Sequence, residues 1–314
     1  MHFCSERIAV PIAEITVHPN QKARISSPWG FPVREDVAFT DVHGVERGRA
    51  VRRAIEKLQE PLRKILEPGE AVLYLARGQI MPGKLQRYTQ GTQSRFLAPA
   101  ALILTNRRLL HLSVNWNGKW NRNVRSVLWC DVRKAYVTGL LYGRLHLEYQ
   151  QGSKETYWRI GRSAAKKIQL LVDALLPASA DETSKALSMT SLCPECLASL
   201  TPGVYECRCC GLKFKDEKAI LFHALLIPGG AYFYVGLSLF GVGHAFVDTA
   251  IFFSMIGWAL ALMGRLQPHV RMGAPPTKFT YAVLTTFLAS ALVFDICMSI
   301  RVARNAIRNF IPES

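Results

Sequence analysis

Acidic side chains are scarce in this 314-residue chain: 23 Asp and Glu stand against 39 Lys and Arg, a formal net charge of +16 at pH 7. Such a balance points to anionic partners, whether lipid headgroups, nucleic acid or acidic proteins. Phosphate-cradling glycine loops, paired carboxylates and a Ser/His/Asp arrangement are missing. The eight His are scattered, and His111 and His146 each stand alone on a strand-like stretch. No catalytic machinery is legible, so no enzyme is expected. Residues 1–50 carry charges throughout and lack the apolar core of about 7–15 residues that a secretory signal requires. The first helix expected to enter a membrane therefore lies far downstream.

Lys and Arg are also absent from three long stretches, 219–239, 245–264 and 279–300. A helix needs about 20 mainly apolar residues to cross about 30 Å of hydrocarbon, so each is expected to span a membrane. Residues 240–244, Phe-Gly-Val-Gly-His, suit a tight hairpin between the first two. Cationic flanks favour the cytoplasm: Lys213, Lys215 and Lys218 precede the first stretch, and Arg265, Arg271 and Lys278 fill the loop before the third. Three full crossings would carry Arg301, Arg304 and Arg308 to the far side, against the same rule. Pro228-Gly229-Gly230 marks the first stretch as the one expected to be re-entrant. Asp248 and Asp295 lie in or at the spans, where a carboxylate is a functional candidate. Asp295 is the stronger, with Tyr232 or His223 as its expected partner.

Cysteine is sparse outside one window. Of eight, Cys4, Cys130 and Cys297 stand alone in the sequence, and five fall between positions 193 and 210. Clustering of this kind suggests a metal more than a disulfide framework, and a reducing compartment agrees with it. Cys193-Pro194-Glu195-Cys196 and Cys207-Arg208-Cys209-Cys210-Gly211 form two Cys-x-x-Cys turns separated by ten residues. Four such sulfurs suit tetrahedral Zn2+ with bonds of about 2.3 Å, and the pattern resembles a short zinc ribbon. Cys193, Cys196, Cys207 and Cys210 are the expected ligands, Cys210 being preferred to Cys209 on spacing alone. Four thiolates leave no open position, so the zinc would be structural and would supply most of the module's folding free energy.

Upstream, residues 67–176 hold 17 Lys and Arg against 6 Asp and Glu, so +11 of the total charge sits there. A strand is expected at 8–17. From Arg49, the residues Val51, Ile55, Leu58, Leu62 and Ile65 fall at helical spacing, with Pro61 expected to kink or divide the helix. Seven strands are expected at 70–77, 100–104, 109–114, 126–129, 135–138, 145–149 and 155–160. One helix follows, N-capped by Ser163, apolar along Ala164, Ile168, Leu171, Val172 and Leu175, and stopped by Pro177. Residues 177–190, rich in Ala, Ser and Thr, read as a flexible linker.

Pro68-Gly69-Glu70, Leu102-Ile103-Leu104-Thr105-Asn106-Arg107-Arg108-Leu109-Leu110, Trp129-Cys130-Asp131-Val132 and Gly143-Arg144-Leu145-His146-Leu147 resemble the bacterial pleckstrin-homology-like domain family. The likeness covers about 66–176, a third of the chain. It implies seven strands forming an open barrel closed by a helix, no reaction, and a module that self-associates or binds proteins. Asn106 is expected to be left-handed at its turn. The departure from the family is 81–98, a longer basic, Gln-rich segment. Its Lys84, Arg87 and Arg95 are the expected headgroup contacts, worth about 1 kcal/mol each beside an anionic leaflet. Arg107 and Arg108 are further candidates for lipid or partner contact, with support of the turn as their other reading.

The expectation is an α+β chain: an extension at 1–66, the pleckstrin-homology-like domain at 67–176, a linker at 177–190, a zinc ribbon at 191–214, transmembrane helices within 219–300 and a basic tail at 301–314. Recruitment or assembly at a bacterial inner membrane follows, through lipids and a protein partner or second copy, with the amino-terminal domains cytoplasmic. Nucleic-acid binding is one alternative, for which Tyr205 and Phe214 are the aromatics near the ribbon. A transporter or channel subunit using Asp295 is the other.

Overall fold

Strands that are apolar at nearly every position need cover on both faces. The computed structural model describes residues 24–43, 45–46, 48–81, 99–115, 117–176, 188–263, 277–307 and 311–312. In it, Val72–Ile80 (β3), Pro99–Thr105 (β4) and Arg108–Val114 (β5) are strands of that kind, buried along almost their whole length. Before them come Ile25–Ser26 (β1), Val33–Arg34 (β2) and the helices Glu35–Ala38 (α1), Arg49–Lys57 (α2) and Gln59–Ile65 (α3). After them come Trp120–Leu128 (β6), Val132–Thr138 (β7), Tyr142–Tyr149 (β8), Lys154–Gly161 (β9), the helix Arg162–Leu175 (α4) and Thr190–Leu192 (β10). The sheet order is β10-β6-β5-β4-β3-β9-β8-β7, with β2 added to β3 and β1 to β2. Only the β2 pairing, Val33 opposite Val72, is parallel. Two meanders, β3 to β6 and β7 to β9, are joined where Gln79 and Ile80 pair with Trp158 and Tyr157.

Two apolar clusters cover the two faces. On one, Leu73, Leu102, Leu109, Trp129, Leu145, Leu147, Tyr149 and Tyr157 pack against Ile168, Leu171, Val172 and Leu175 of α4. On the other, Val72, Leu75, Ile103, Leu110 and Leu112 meet Ile55 of α2, Leu58 between the helices, and Leu62 and Ile65 of α3. Each fully buried Leu or Ile contributes about 1.5–3 kcal/mol. Strand β7 is less covered, with Val132 and Ala135 buried but Arg133 and Lys134 both exposed where the register shifts.

All seven expected strands are present, each lengthened at one or both ends, and the 8–17 strand lies outside the described residues. The helix from Arg49 is divided at Leu58, which leaves Pro61 in the first turn of α3, where its missing N–H needs no partner. Ser163 is not the cap of α4: the helix starts at Arg162 after Gly161, without a side-chain cap. Asn106 is not left-handed either. Its Oδ1 accepts from Ala71 N–H at 2.9 Å, so the side chain holds the turn instead of the backbone angle. The 25–65 elements pack directly on the sheet, and β10 pairs with β6, Ser191 opposite Arg125. Met1–Leu212 is consequently one compact unit, and Lys213–Ser314 a second.

The second unit is helical. Asp216 accepts from Ala219 N–H at 2.7 Å and starts Glu217–Leu226 (α5). Pro228 has no N–H to continue it, Gly229 turns at φ +66°, and Gly230–Tyr234 (α6) follows. Ser238–Leu262 (α7, 25 residues) and Lys278–Ile307 (α8, 30 residues) complete the unit. Among the described residues, these two helices are long and apolar enough to cross a membrane. The expected first span is thus corrected to a broken pair of short helices. The expected hairpin at 240–244 is corrected as well, since those residues are helical in α7. Gly241 is needed there because a Cβ would come within 2.8 Å of the Phe233 ring. The two ends of the unit meet, Lys215 N–H donating to Ile311 O at 2.9 Å and Phe214 bridging to Pro312.

Candidate metal centre

Two Cys-x-x-Cys segments fold alike. Cys193 N–H donates to Ala198 O and Leu197 N–H to Cys193 O, at 2.9 and 3.0 Å. In the second, Cys207 N–H donates to Leu212 O and Gly211 N–H to Cys207 O, both at 2.8 Å. The residue after each second cysteine is left-handed, Leu197 at φ 59° and Gly211 at φ 71°. Glycine adopts that conformation freely, whereas a leucine is strained there. Leu197 packs against the outer apolar cluster of the sheet, which offsets the strain. This repeat makes Cys210 the counterpart of Cys196 and leaves Cys209 outside, exposed and free.

The four sulfurs of Cys193, Cys196, Cys207 and Cys210 lie within 4.8 Å of one another. Cys193 to Cys210 and Cys196 to Cys207 are both 3.5 Å. A tetrahedron with metal–sulfur bonds of about 2.3 Å has edges of about 3.8 Å, so the quartet fits an ion with little movement. Burial pushes the Cys193 thiol up to about 12, against the backbone N–H groups of Cys196 and Glu195. At Cys207 burial acts the same way but is outweighed by the N–H groups of Cys210 and Cys209 and by neighbouring thiols, which lower it to about 7. A bound cation would draw the proton from each of them. The module is fastened to the sheet by β10 and by an ion pair between Arg122 and Glu195. Cys130 stands apart from the quartet, buried and disulfide-bonded.

Of the other expected site residues, Lys84, Arg87 and Arg95 lie outside the described residues. Arg108 is buried. Its Nε and Nη2 donate to the Glu70 carboxylate at 3.0 and 2.8 Å, and Nη2 also to Ile65 O at 2.9 Å. Thr105 Oγ1 donates to the same carboxylate at 2.7 Å, and Glu70 is fully buried. Arg107 pairs with Glu67 at 3.2 Å. Trp129 Nε1 donates to Thr105 O at 2.9 Å, so three of the quoted motifs meet in one buried knot. These partners give Arg108 a structural task. A surface role would require breaking an ion pair already shut off from water.

Asp295 pairs with His244 at 2.9 Å, and neither Tyr232 nor His223 is its direct partner. Tyr232 stacks on His244 with centroids 4.5 Å apart, while His223 bonds Ala219 O one turn back on α5. Asp248 is 7% exposed and accepts from Gly229 N–H at 3.2 Å, so it holds the broken segment to α7. Sequence reading missed a second polar cluster, inside the sheet unit. Glu155 accepts from Arg125 at 2.7 Å and from Tyr149 at 3.0 Å. Tyr157 rests on His111 at 5.7 Å, and burial together with the Arg125 charge lowers that histidine to about 3. Cross-strand register brings these residues together, and no spacing along the chain announces it. Comparison with known protein families and with curated proteins finds no match for this chain.

Proposed function

We propose that this chain is a membrane-anchored, non-enzymatic module that presents a pleckstrin-homology-like domain and a structural zinc ribbon at the inner face of a bacterial membrane, for recruitment or assembly. The observation that carries the reading is the outward apolar surface of α7 and α8. Only 11% and 6% of their apolar windows are buried, and Leu239, Phe246, Phe253, Phe279, Phe287 and Phe294 are each 66% exposed or more. A helix in water turns its apolar stripe toward neighbours, whereas hydrocarbon accepts such side chains on every side. The hydroxyls on these helices agree with a dry surround. Ser254, Thr285, Thr286 and Ser290 each donate to the carbonyl four residues back at 2.7–2.9 Å and need no water.

Two crossings also ease the conflict over charge. The meeting of Lys215 with Ile311 supports a reading in which both ends of the helical unit lie on one side, so that Lys213, Lys215, Lys218, Arg301 and Arg304 would share the cytoplasm. Lys278, at the start of α8, would then face outward. The two antiparallel meanders followed by α4 support the pleckstrin-homology-like reading, and the sulfur geometry supports zinc. The nucleic-acid alternative loses one of its two aromatics, because Phe214 is buried in the helical unit. Fractionation of a detergent-free lysate is expected to leave the chain in the membrane pellet, and reporter fusions at Met1 and Ser314 are expected to report the cytoplasm. A folded, monodisperse chain in the supernatant would overturn the reading. Crosslinking in intact membranes with the sheet unit as bait would then identify what it recruits.

A further inference from the structure

The β7–β8 hairpin carries its apolar residues on the outside. Leu140, Leu141 and Tyr142 are 84%, 79% and 63% exposed, on a unit in which every leucine of β3, β4 and β5 is covered. The turn is nevertheless held firmly. Gly139, at φ +107°, has Tyr142 O at 2.2 Å from where a Cβ would sit, and Gly143 has the Ala165 methyl of α4 at 2.3 Å. Val137 N–H donates to Gln169 Oε1 of α4 at 2.6 Å. Clamped in this way, the tip cannot fold its leucines back into a core that is already filled.

Beside the tip, Arg162, Lys166 and Leu170 follow at four-residue intervals on one face of α4, and all three are exposed. Leu140, Val137, Arg162, Lys166 and Leu170 line one groove of about 460 Å³. Arg144 is exposed on β8. The carboxylate of α4 is Asp173, which accepts from Gln169 Nε2 at 2.7 Å. Three consecutive apolar side chains flanked by Arg144, Arg162 and Lys166, with Asp41 the one carboxylate lining a pocket beside the last two, match a surface that is anionic outside and hydrocarbon beneath.

We propose that this face docks on an anionic phospholipid bilayer, with Leu140, Leu141 and Tyr142 entering the acyl boundary and Arg144, Arg162 and Lys166 meeting lipid phosphates. The inference rests on the membrane reading above and names a contact surface that it did not contain. Lone exposed leucines are ordinary on protein surfaces. A rigid run of three within reach of two cations of α4 is the feature a bilayer selects.

The full chain, reconstituted in vesicles, tests this with an environment-sensitive fluorescent amino acid at Leu141 and, as a control, at exposed Lys119. Vesicles of phosphatidylcholine alone and of phosphatidylcholine with phosphatidylglycerol are compared, each carrying a quencher in the acyl chains. The expected result is a blue-shifted, quenched signal at 141 with the anionic lipid, little quenching without it, and none at 119. Arg162→Ser with Lys166→Ser is expected to lower the docked fraction's equilibrium about thirtyfold. Both side chains are exposed, so folding is untouched. An aqueous signal at 141 in anionic vesicles overturns the proposal while the anchoring reading stands. Equal immersion in neutral vesicles overturns its anionic half, and shielding at 141 only on self-association assigns the face to a second copy instead. A chain that does not co-float with vesicles overturns the anchoring reading and this inference with it.

Discussion

The two units put similar side chains on opposite sides. In the sheet unit Leu73, Leu102, Leu109, Leu110 and Leu112 are fully covered, whereas in the helical unit Phe246, Phe279 and Phe287 are more than two-thirds exposed. The whole-chain hydrophobic content of 49% describes neither. In the first unit other protein elements hide the apolar residues from water, and in the second we propose that a membrane does. The charges divide in parallel: the sheet unit satisfies its buried ions with designed partners such as Glu70 and Arg108, and the helices pair His244 with Asp295.

The largest test of this contrast is removal of the metal proposed for the cysteine quartet. Cys193→Ser, or a strong chelator, is expected to unfold 188–212, since a structural zinc site contributes about 10–16 kcal/mol of apparent binding free energy. Metal analysis together with limited proteolysis should show loss of about one ion per chain and new cleavage confined to the sheet unit, the helices staying protected. Cleavage within α7 as well would break the comparison. Next comes Glu70→Ala, which strands the Arg108 guanidinium in a dry site and is expected to cost about 3–5 kcal/mol. Urea unfolding of the sheet unit reads it, and Glu70→Ala with Arg108→Met should recover part of the loss.

A smaller effect sharpens the account of the sheet interior. His111 is held to about 3 in the folded state, chiefly by burial, against about 6.5 when unfolded. Below about pH 6.5 the unfolded chain binds a proton that the folded chain refuses, so stability is full above that pH and falls toward pH 3 by about 1.4 kcal/mol per unit. His111→Leu should remove that slope, measured as the change of unfolding midpoint with pH. The smallest expected effect belongs to the helices: Asp295→Asn keeps a hydrogen bond to His244 and should cost about 0.6 kcal/mol of helix association in detergent. A loss of several kcal/mol there would show that the helical unit, like the sheet, depends on buried ions.

Much of this molecule can be read locally. Seven strands, the helix after them and the cysteine quartet were visible because a pleated strand, an amphipathic turn and a Cys-x-x-Cys knuckle are each specified by a few adjacent residues. The apolar reach of α7 and α8 was visible for the same reason, since length and absence of charge need no partner. The residue types point to a break at Pro228 and Gly229, yet nothing in them announces the helical state of 240–244. There the low helix preference of glycine is overruled by the close fit of Gly241 to Phe233.

Left to the tertiary structure was which groups meet. Glu70 and Arg108 are 38 residues apart, and His244 and Asp295 are 51 apart, distances over which no pattern along the chain singles out a partner. Sheet register decided that β3 to β5 would be covered twice and β7 less, and it turned a pair of arginines beside a turn into one buried ion and one partly exposed. The clamp of Gly143 on Ala165 likewise left Leu140 and Leu141 in the open. Local sequence specifies what each segment can become, because propensity and hydropathy act over a few residues. Burial, pairing and exposure are properties of neighbours in space, and only packing determines them.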